Sequence, residues 1–193
     1  MIRLNITTFI LHGGVTSKNN KLNDYFFSQF STHVNKKEVR ILLCYFATEK
    51  SEWERLINRD KPKVIKNSSK KLRFQVAEDA QDLLAKLDDA DVLYVAGGEP
   101  ELLESYYEQL EGLKDKLQDK VYIGSSMGVY MVSESYLKPK GDKAQAGMRL
   151  LPIQTICHWD QKESKEQKLA LLRDNSDSMI LVLNEYQTVE IYR

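Results

Sequence analysis

The strongest chemical signal in the chain is a serine between glycines, placed where an apolar run should turn into a helix. Gly124-Ser125-Ser126-Met127-Gly128 has the Gly-x-Ser-x-Gly spacing of a nucleophile elbow. The glycines permit a tight turn that lifts the serine out of a sheet, and the next amide N–H then faces the site. The pattern predicts Ser126 as nucleophile and Met127 as an oxyanion donor. A glycine turn capped by Ser126 is the alternative, and Ser125 is a rival without the flanking spacing.

A serine nucleophile needs a base, and one histidine follows it in the chain. His158 ends an apolar run, and open α/β sheets build their sites at the ends of parallel strands. A histidine that only caps a strand end is the other interpretation. His12 also ends a predicted strand, beside Gly13-Gly14, whereas His33 lies near a helix terminus and is expected to be solvated.

Three carboxylates could orient that base, and their spacing does not choose among them. Glu185 lies in the last tight turn, Asp160 follows His158 by two residues, and Asp142 lies in the loop after the nucleophile helix. Each could equally be an ordinary turn or capping acid. A second oxyanion donor could come from Gly97-Gly98, because glycine lets a backbone approach a ligand closely.

Composition and missing motifs exclude several other classes of protein. The 193 residues carry 28 basic and 28 acidic side chains, so the charge excess of a nucleic-acid binder is absent. Cys44 and Cys157 lie far apart in apolar runs, which predicts reduced, buried thiols. Residues 1–11 resemble neither a signal peptide nor a membrane span, and the chain lacks phosphate-loop, dinucleotide and zinc motifs. We therefore expect a cytoplasmic protein with no cofactor, no metal and no nucleic-acid or membrane partner.

The elements that must position these residues alternate between short apolar runs and longer polar-periodic segments. This alternation predicts one α/β domain over residues 1–193, a three-layer, doubly wound, mostly parallel sheet with helices on both faces and a C-terminal antiparallel hairpin. Residues 61–71 are expected to form a charged connection. The predicted strands and apolar runs are 6–11, 39–46, 72–76, 91–96, 121–123, 150–157, 179–183 and 188–192, and the predicted helices include 21–33, 78–87, 100–117 and 162–173.

The order and spacing of these pieces resemble the dipeptidase E (aspartyl dipeptidase) family of serine peptidases, which includes cyanophycinase. The resemblance covers most of the chain and implies a class I glutamine-amidotransferase-like fold. It is carried by the early strand ending in Gly-Gly and by four further segments: Val95-Ala96-Gly97-Gly98, Tyr122 to Gly128, Leu151-Pro152 through His158, and Leu183-Asn184-Glu185.

The resemblance also implies roles for individual residues. Ser126 would be the nucleophile, His158 the general base and Glu185 the triad acid, with an oxyanion hole formed by the amides of Gly98 and Met127. The implied activity is hydrolysis of short peptides, including those with an acidic N-terminal residue, through an acyl-enzyme. A small peptide is thus the expected partner, and a homodimer is an open possibility.

Three departures from the family pattern keep a second hypothesis open, a catalytically silent or ligand-binding member of the same fold. Glu99 stands where the family usually has Asn, Met127 where it commonly has Ala, and Tyr186 where it commonly has Gly. An α/β-hydrolase esterase fits less well, because there the acid normally precedes the histidine. A class I amidotransferase would need a cysteine nucleophile in place of Ser126.

Overall fold

The computed structural model describes residues 6–138, 141–161 and 163–193. Residues 1–5 of the predicted domain and residue 162 of the predicted helix 162–173 lie outside these ranges. The strands are β1 (Thr8–His12), β2 (Glu38–Cys44), β3 (Lys71–Val76), β4 (Val92–Val95), β5 (Val121–Ser125), β6 (Ser135–Tyr136), β7 (Gln145–Ala146), β8 (Ile153–Ile156), β9 (Met179–Val182) and β10 (Thr188–Tyr192). The helices are α1 (Lys21–Thr32), α2 (Trp53–Lys66), α3 (Ala80–Leu87), α4 (Pro100–Glu104), α5 (Leu113–Lys116), α6 (Met127–Val132) and α7 (Lys165–Arg173).

A six-stranded sheet in the order β10-β1-β5-β4-β2-β3 forms the centre of the molecule. Its neighbours pair in parallel except β1 and β10, which are antiparallel. Strands β1, β4 and β5 are buried along their whole length, which explains their near-continuous apolar runs. The predicted fold class, a mostly parallel α/β sheet flanked by helices, is confirmed.

The register of this sheet brings the chemically interesting strand ends together. His12 of β1 lies opposite Ser125 of β5, and Val95 of β4 lies opposite Gly124 of β5. The segments that follow these three strands therefore leave the sheet at the same edge. This edge carries the Gly13-Gly14 pair, Ser126 and Gly97.

Helix α1 covers this region and is fixed by local sequence. Asn20 caps it by accepting a hydrogen bond from the Asn23 amide at 2.8 Å. Phe26 and Phe30 are fully buried on its inner face, and the Phe30 ring centroid lies 5.0 Å from that of Tyr94 on β4. The helix is thereby packed directly against the strands that end at the site.

The predicted C-terminal hairpin is wrong, because its two strands belong to different sheets. Strand β9 pairs in parallel with β8 in a four-stranded sheet, β7-β6-β8-β9, whereas β10 pairs with β1 in the large sheet. The turn at 184–187 thus crosses from one sheet to the other. A short connection between two apolar runs is typical of a hairpin, but it does not determine which neighbour each run pairs with.

Two helix predictions also need correction. Helix α2 continues to Lys66 through the predicted connection despite its internal Pro62, because buried Val64 extends the inner face of the helix. The predicted helix 100–117 is broken into α4, a 3₁₀ turn at Glu108–Leu110 and α5, with Gly112 left-handed at φ 85°. Within the described ranges, no helix combines the length and apolar character needed to cross a membrane.

Candidate active site

Ser126 occupies a strained turn between β5 and α6. Its backbone has φ 50° and ψ −103°, outside the regions that non-glycine residues normally adopt. A Cβ on Gly124 would lie 2.6 Å from the Gly128 carbonyl oxygen, and one on Gly128 would lie 2.3 Å from the Val95 carbonyl oxygen. Close backbone packing therefore demands both glycines of the motif, as a nucleophile elbow requires.

A continuous hydrogen-bonded chain links Ser126, His158 and Glu185. Ser126 Oγ lies 3.1 Å from His158 Nε2, and His158 Nδ1 lies 3.2 Å from Glu185 Oε1. Because a carboxylate can only accept, Nδ1 carries the proton and the Nε2 lone pair faces the serine hydroxyl. The His158 and Glu185 side chains are 23% and 18% exposed, so this group is open to a ligand.

The smaller sheet places the histidine and the glutamate side by side. Ile156 of β8 lies opposite Val182 of β9, and just beyond these strands the Trp159 amide donates to the Leu183 carbonyl at 3.0 Å. His158 and Glu185 follow at the same edge. His158 and Glu185 therefore follow strands of one sheet, and Ser126 follows a strand of the other.

The Gly13-Gly14 loop after β1 supports the imidazole of His158. The Gly13 carbonyl accepts the His158 amide at 3.2 Å, and the Gly14 carbonyl accepts the Tyr186 amide at 3.3 Å. Gly14 has φ 123°, and a Cβ there would lie 2.2 Å from His158 Cε1. The sequence signal was the glycine pair at a strand end, but its contact with His158 could not be inferred from spacing.

The other two candidate acids, Asp160 and Asp142, occupy different positions from Glu185. Asp160 Oδ1 accepts the Glu185 amide at 2.9 Å and so helps to hold the turn that carries the glutamate. Asp142 is exposed in the connection between β6 and β7. The carboxylate that meets His158 Nδ1 is that of Glu185.

The two expected oxyanion donors, the amides of Met127 and Gly98, differ in how they are placed relative to Ser126. The Met127 side chain is 1% exposed and packs in the core, which leaves its amide in the first turn of α6. A Cβ on Gly97 would lie 2.9 Å from Ser126 Cβ, so this residue contacts the serine. Gly98 is exposed, and its Cβ position falls 2.1 Å from the Ala47 carbonyl oxygen. Glu99 is exposed at the start of α4.

Ser125, the rival nucleophile, is buried. Only 3% of it is exposed, and its Oγ lies 3.5 Å from Nδ1 of His12, which is fully buried. The pKa of His12 is lowered to about 4, mainly by burial; the hydrogen bond to Asn23 opposes this shift and the nearby His158 adds to it. A substrate cannot reach this serine without rearrangement of the sheet edge.

Possible metal ligands and the two cysteines are the remaining groups to place relative to the site. Across residues 6–138, 141–161 and 163–193, no cluster of three or more His, Cys, Asp or Glu side chains could hold a metal ion. Cys44 and Cys157 are both buried and form no disulfide, and burial raises the pKa of the Cys44 thiol to about 12.

Comparison with known proteins identifies the fold and the family of the chain. The sequence model of Peptidase family S51 matches residues 9–192. A peptidase from an acI-B1 Actinobacterium superposes with a TM-score of 0.72 at 14% identity, over 96% of this chain and 83% of that one. A candidate peptidase E protein from Listeria monocytogenes EGD-e gives a TM-score of 0.66 at 15% identity, over 97% and 95%.

No curated protein matches the sequence. The two structural neighbours show the fold, and the family match covers nearly the whole chain. The resemblance to the dipeptidase E family is thereby confirmed: the chain belongs to Peptidase family S51.

Proposed function

We propose that this protein is a serine peptidase of the peptidase E type that hydrolyses short peptides through an acyl-enzyme. Ser126 is the nucleophile, His158 the general base and Glu185 the acid that orients it. The proposal rests on one observation, the unbroken hydrogen-bonded chain from Ser126 Oγ through His158 to Glu185 Oε1. Family membership supports the same class of reaction.

The geometry suits acyl transfer in two stages. As Ser126 Oγ attacks the peptide carbonyl carbon, its proton passes to His158 Nε2, and Glu185 stabilises the imidazolium. His158 then gives that proton to the leaving amine, the C–N bond breaks, and an ester to Ser126 remains. A water molecule attacks this ester with His158 again as base, which releases the carboxylic acid and restores the serine.

We assign the oxyanion hole to the amides of Met127 and Gly98. The Met127 amide follows the nucleophile directly, and Gly98 follows Gly97, which contacts Ser126. Loss of one such donor typically lowers kcat by about 10²- to 10³-fold. Because the Met127 side chain is buried in the core, its bulk does not cover the serine.

The substrate and compartment follow from the family and the cysteines. Short peptides are the substrate class, with an acidic N-terminal residue as the first specificity to examine. Two buried thiols that form no disulfide are typical of proteins from a reducing compartment, which supports the cytoplasm as the location.

Fluorophosphonate labelling tests the proposal directly. The purified protein should gain one adduct by intact mass, because only an activated serine attacks the probe readily. Ser126→Ala should abolish the adduct, whereas the matched neighbour variant Ser125→Ala should retain it, since Ser125 is buried.

Absence of an adduct in folded wild-type protein would contradict the proposal. That result would favour the silent or ligand-binding member, and Glu99→Asn would be the first substitution to make. A positive result would justify a panel of Asp-Xaa and other short peptides.

A further inference from the structure

We propose that His12 is a positioning residue for the active site, because its neutral imidazole fixes the glycine loop on which His158 lies. This inference rests on the proposed function. The His12 carbonyl accepts the Ser126 amide at 3.0 Å, but the hydrogen bonds of the His12 side chain go to Gly14, Asn23 and Ser125. The side chain therefore does not bond the proposed nucleophile or acid. It acts instead through the Gly14 backbone.

The hydrogen bonds define the tautomer of His12. The Gly14 amide lies 3.1 Å from His12 Nδ1, and because a backbone N–H can only donate, Nδ1 must be unprotonated. Nε2 therefore carries the proton and donates to Asn23 Oδ1 at 3.1 Å. The Asn23 amide nitrogen donates to the Val15 and Lys18 carbonyls at 3.0 and 2.7 Å, which fixes its orientation.

The same loop meets both partners of the proposed nucleophile. Gly14 packs against the His158 ring so closely that a Cβ would lie 2.5 Å from Nε2, the atom facing the serine. Its carbonyl accepts the Tyr186 amide, one residue after Glu185. Displacement of Gly14 would thus disturb both the position of the His158 ring and the turn that carries Glu185.

Burial keeps His12 in the form that this role requires. The residue is fully buried, and its ring centroid lies 4.3 Å from that of Phe26. With its pKa lowered to about 4 by burial, His12 stays neutral near pH 7, and its Nδ1 remains an acceptor for the Gly14 amide. A protonated imidazole would present two donors and lose that bond.

Three substitutions separate the two hydrogen bonds of His12. His12→Asn can place an acceptor near the Nδ1 position, His12→Gln can place a donor near the Nε2 position, and His12→Leu provides neither. The readout is the fluorophosphonate rate, resolved into the maximal acylation rate and the half-saturating probe concentration. His33→Asn is the matched control, since His33 lies at the far end of α1 and bonds Gln29.

We expect acylation to slow on the order of 10- to 100-fold in His12→Gln and His12→Leu, because small displacements of a catalytic group cost rate. Half-saturation should change little. His12→Asn should recover most of the acylation rate, because it keeps the acceptor for the Gly14 amide. His12→Asn and His12→Gln each lose one hydrogen bond, so their melting temperatures should be similar and stability should not explain the difference in rate. His33→Asn should label as the wild type does.

Each other outcome identifies which idea fails. Wild-type protein that does not label overturns the proposed function and this inference with it. If the wild type labels and His12→Asn, His12→Gln and His12→Leu are all acylated at the same rate as one another, the positioning role alone is overturned. The same conclusion follows if the acylation rates of the variants simply follow their melting temperatures. Should the variants not fold, imidazole ¹⁵N NMR of wild-type protein decides, because a proton on His12 Nδ1 contradicts the assigned bond to Gly14.

Discussion

Two serine–histidine pairs lie side by side at the end of β5, and they differ in the features that a reactive pair requires. Ser125 and His12 are buried, and Asn23 backs the imidazole with an amide oxygen. Ser126 and His158 are partly exposed, and Glu185 backs that imidazole with a carboxylate. An amide cannot balance the charge of an imidazolium as a carboxylate does. Both pairs therefore bring a hydroxyl close to an imidazole. They differ in solvent exposure and in whether the side chain bonded to the other ring nitrogen is charged.

Backbone strain separates the two pairs as well. Ser126, His158 and Tyr186 all have positive φ, at 50°, 54° and 64°. Ser125 and His12 belong to regular strands. Strain of this kind persists where the surrounding structure enforces it and is concentrated at functional sites.

The largest expected effect comes from replacing the carboxylate behind His158 with an amide, like the one that Asn23 places behind His12. Glu185→Gln should lower kcat for peptide hydrolysis by about 10³- to 10⁴-fold, because an amide neither fixes the tautomer nor stabilises the imidazolium. The fluorophosphonate acylation rate should fall in parallel.

Asp160→Asn is the matched control for this change, because it removes a neighbouring carboxylate that bonds the Glu185 amide. It should have a much smaller effect than Glu185→Gln. The reverse order would assign the orienting acid to Asp160 instead.

A smaller effect concerns the buried pair and depends on pH. Folded His12 has a pKa of about 4, below the unfolded value of 6.5, so between these values the unfolded chain binds more protons. Acidification through this window should lower the free energy of unfolding by about 1.4 kcal/mol per pH unit from this group, and full stability should return above pH 6.5. His158 faces His12 and opposes its protonation.

Urea unfolding at several pH values would measure this slope. His12→Asn removes the titrating group, so its stability curve should be flatter than that of the wild type between pH 4 and 6.5. Parallel curves would show that His12 is not a buried neutral imidazole.

The smallest expected effect is relief of strain beside the open group. Tyr186→Gly should raise the free energy of unfolding by up to about 1 kcal/mol, because a left-handed backbone costs a side-chain-bearing residue more than glycine. Differential scanning calorimetry against the wild type would detect the rise. A lower melting temperature would mean that contacts of the tyrosine side chain outweigh the strain.

The sequence predicted the strands of the central sheet and the elbow at Ser126 because both depend on local patterns. Spacing alone left Glu185, Asp160 and Asp142 open, and only the family resemblance favoured Glu185, because the position of these acids depends on the pairing of β8 with β9. The link between His12 and Ser125 was equally hidden, because the register of β1 with β5 joins residues more than a hundred positions apart. The features that could not be predicted are those that depend on strand pairing between distant segments rather than on local sequence propensity.

The division of the proposed triad between two sheets has a consequence for cooperativity. Ser126 follows a strand of the six-stranded sheet, whereas His158 and Glu185 follow neighbouring strands of the four-stranded one, and the turn at 184–187 ties the two together. Proteins open locally as well as globally, in units that often match such substructures. Tyr136 of β6 and Ile153 of β8 pack in the same core as the strands of the large sheet. Opening of the small sheet would therefore separate His158 from Ser126 and loosen part of that core as well, so the proposed reactive geometry depends on the cohesion of the two sheets.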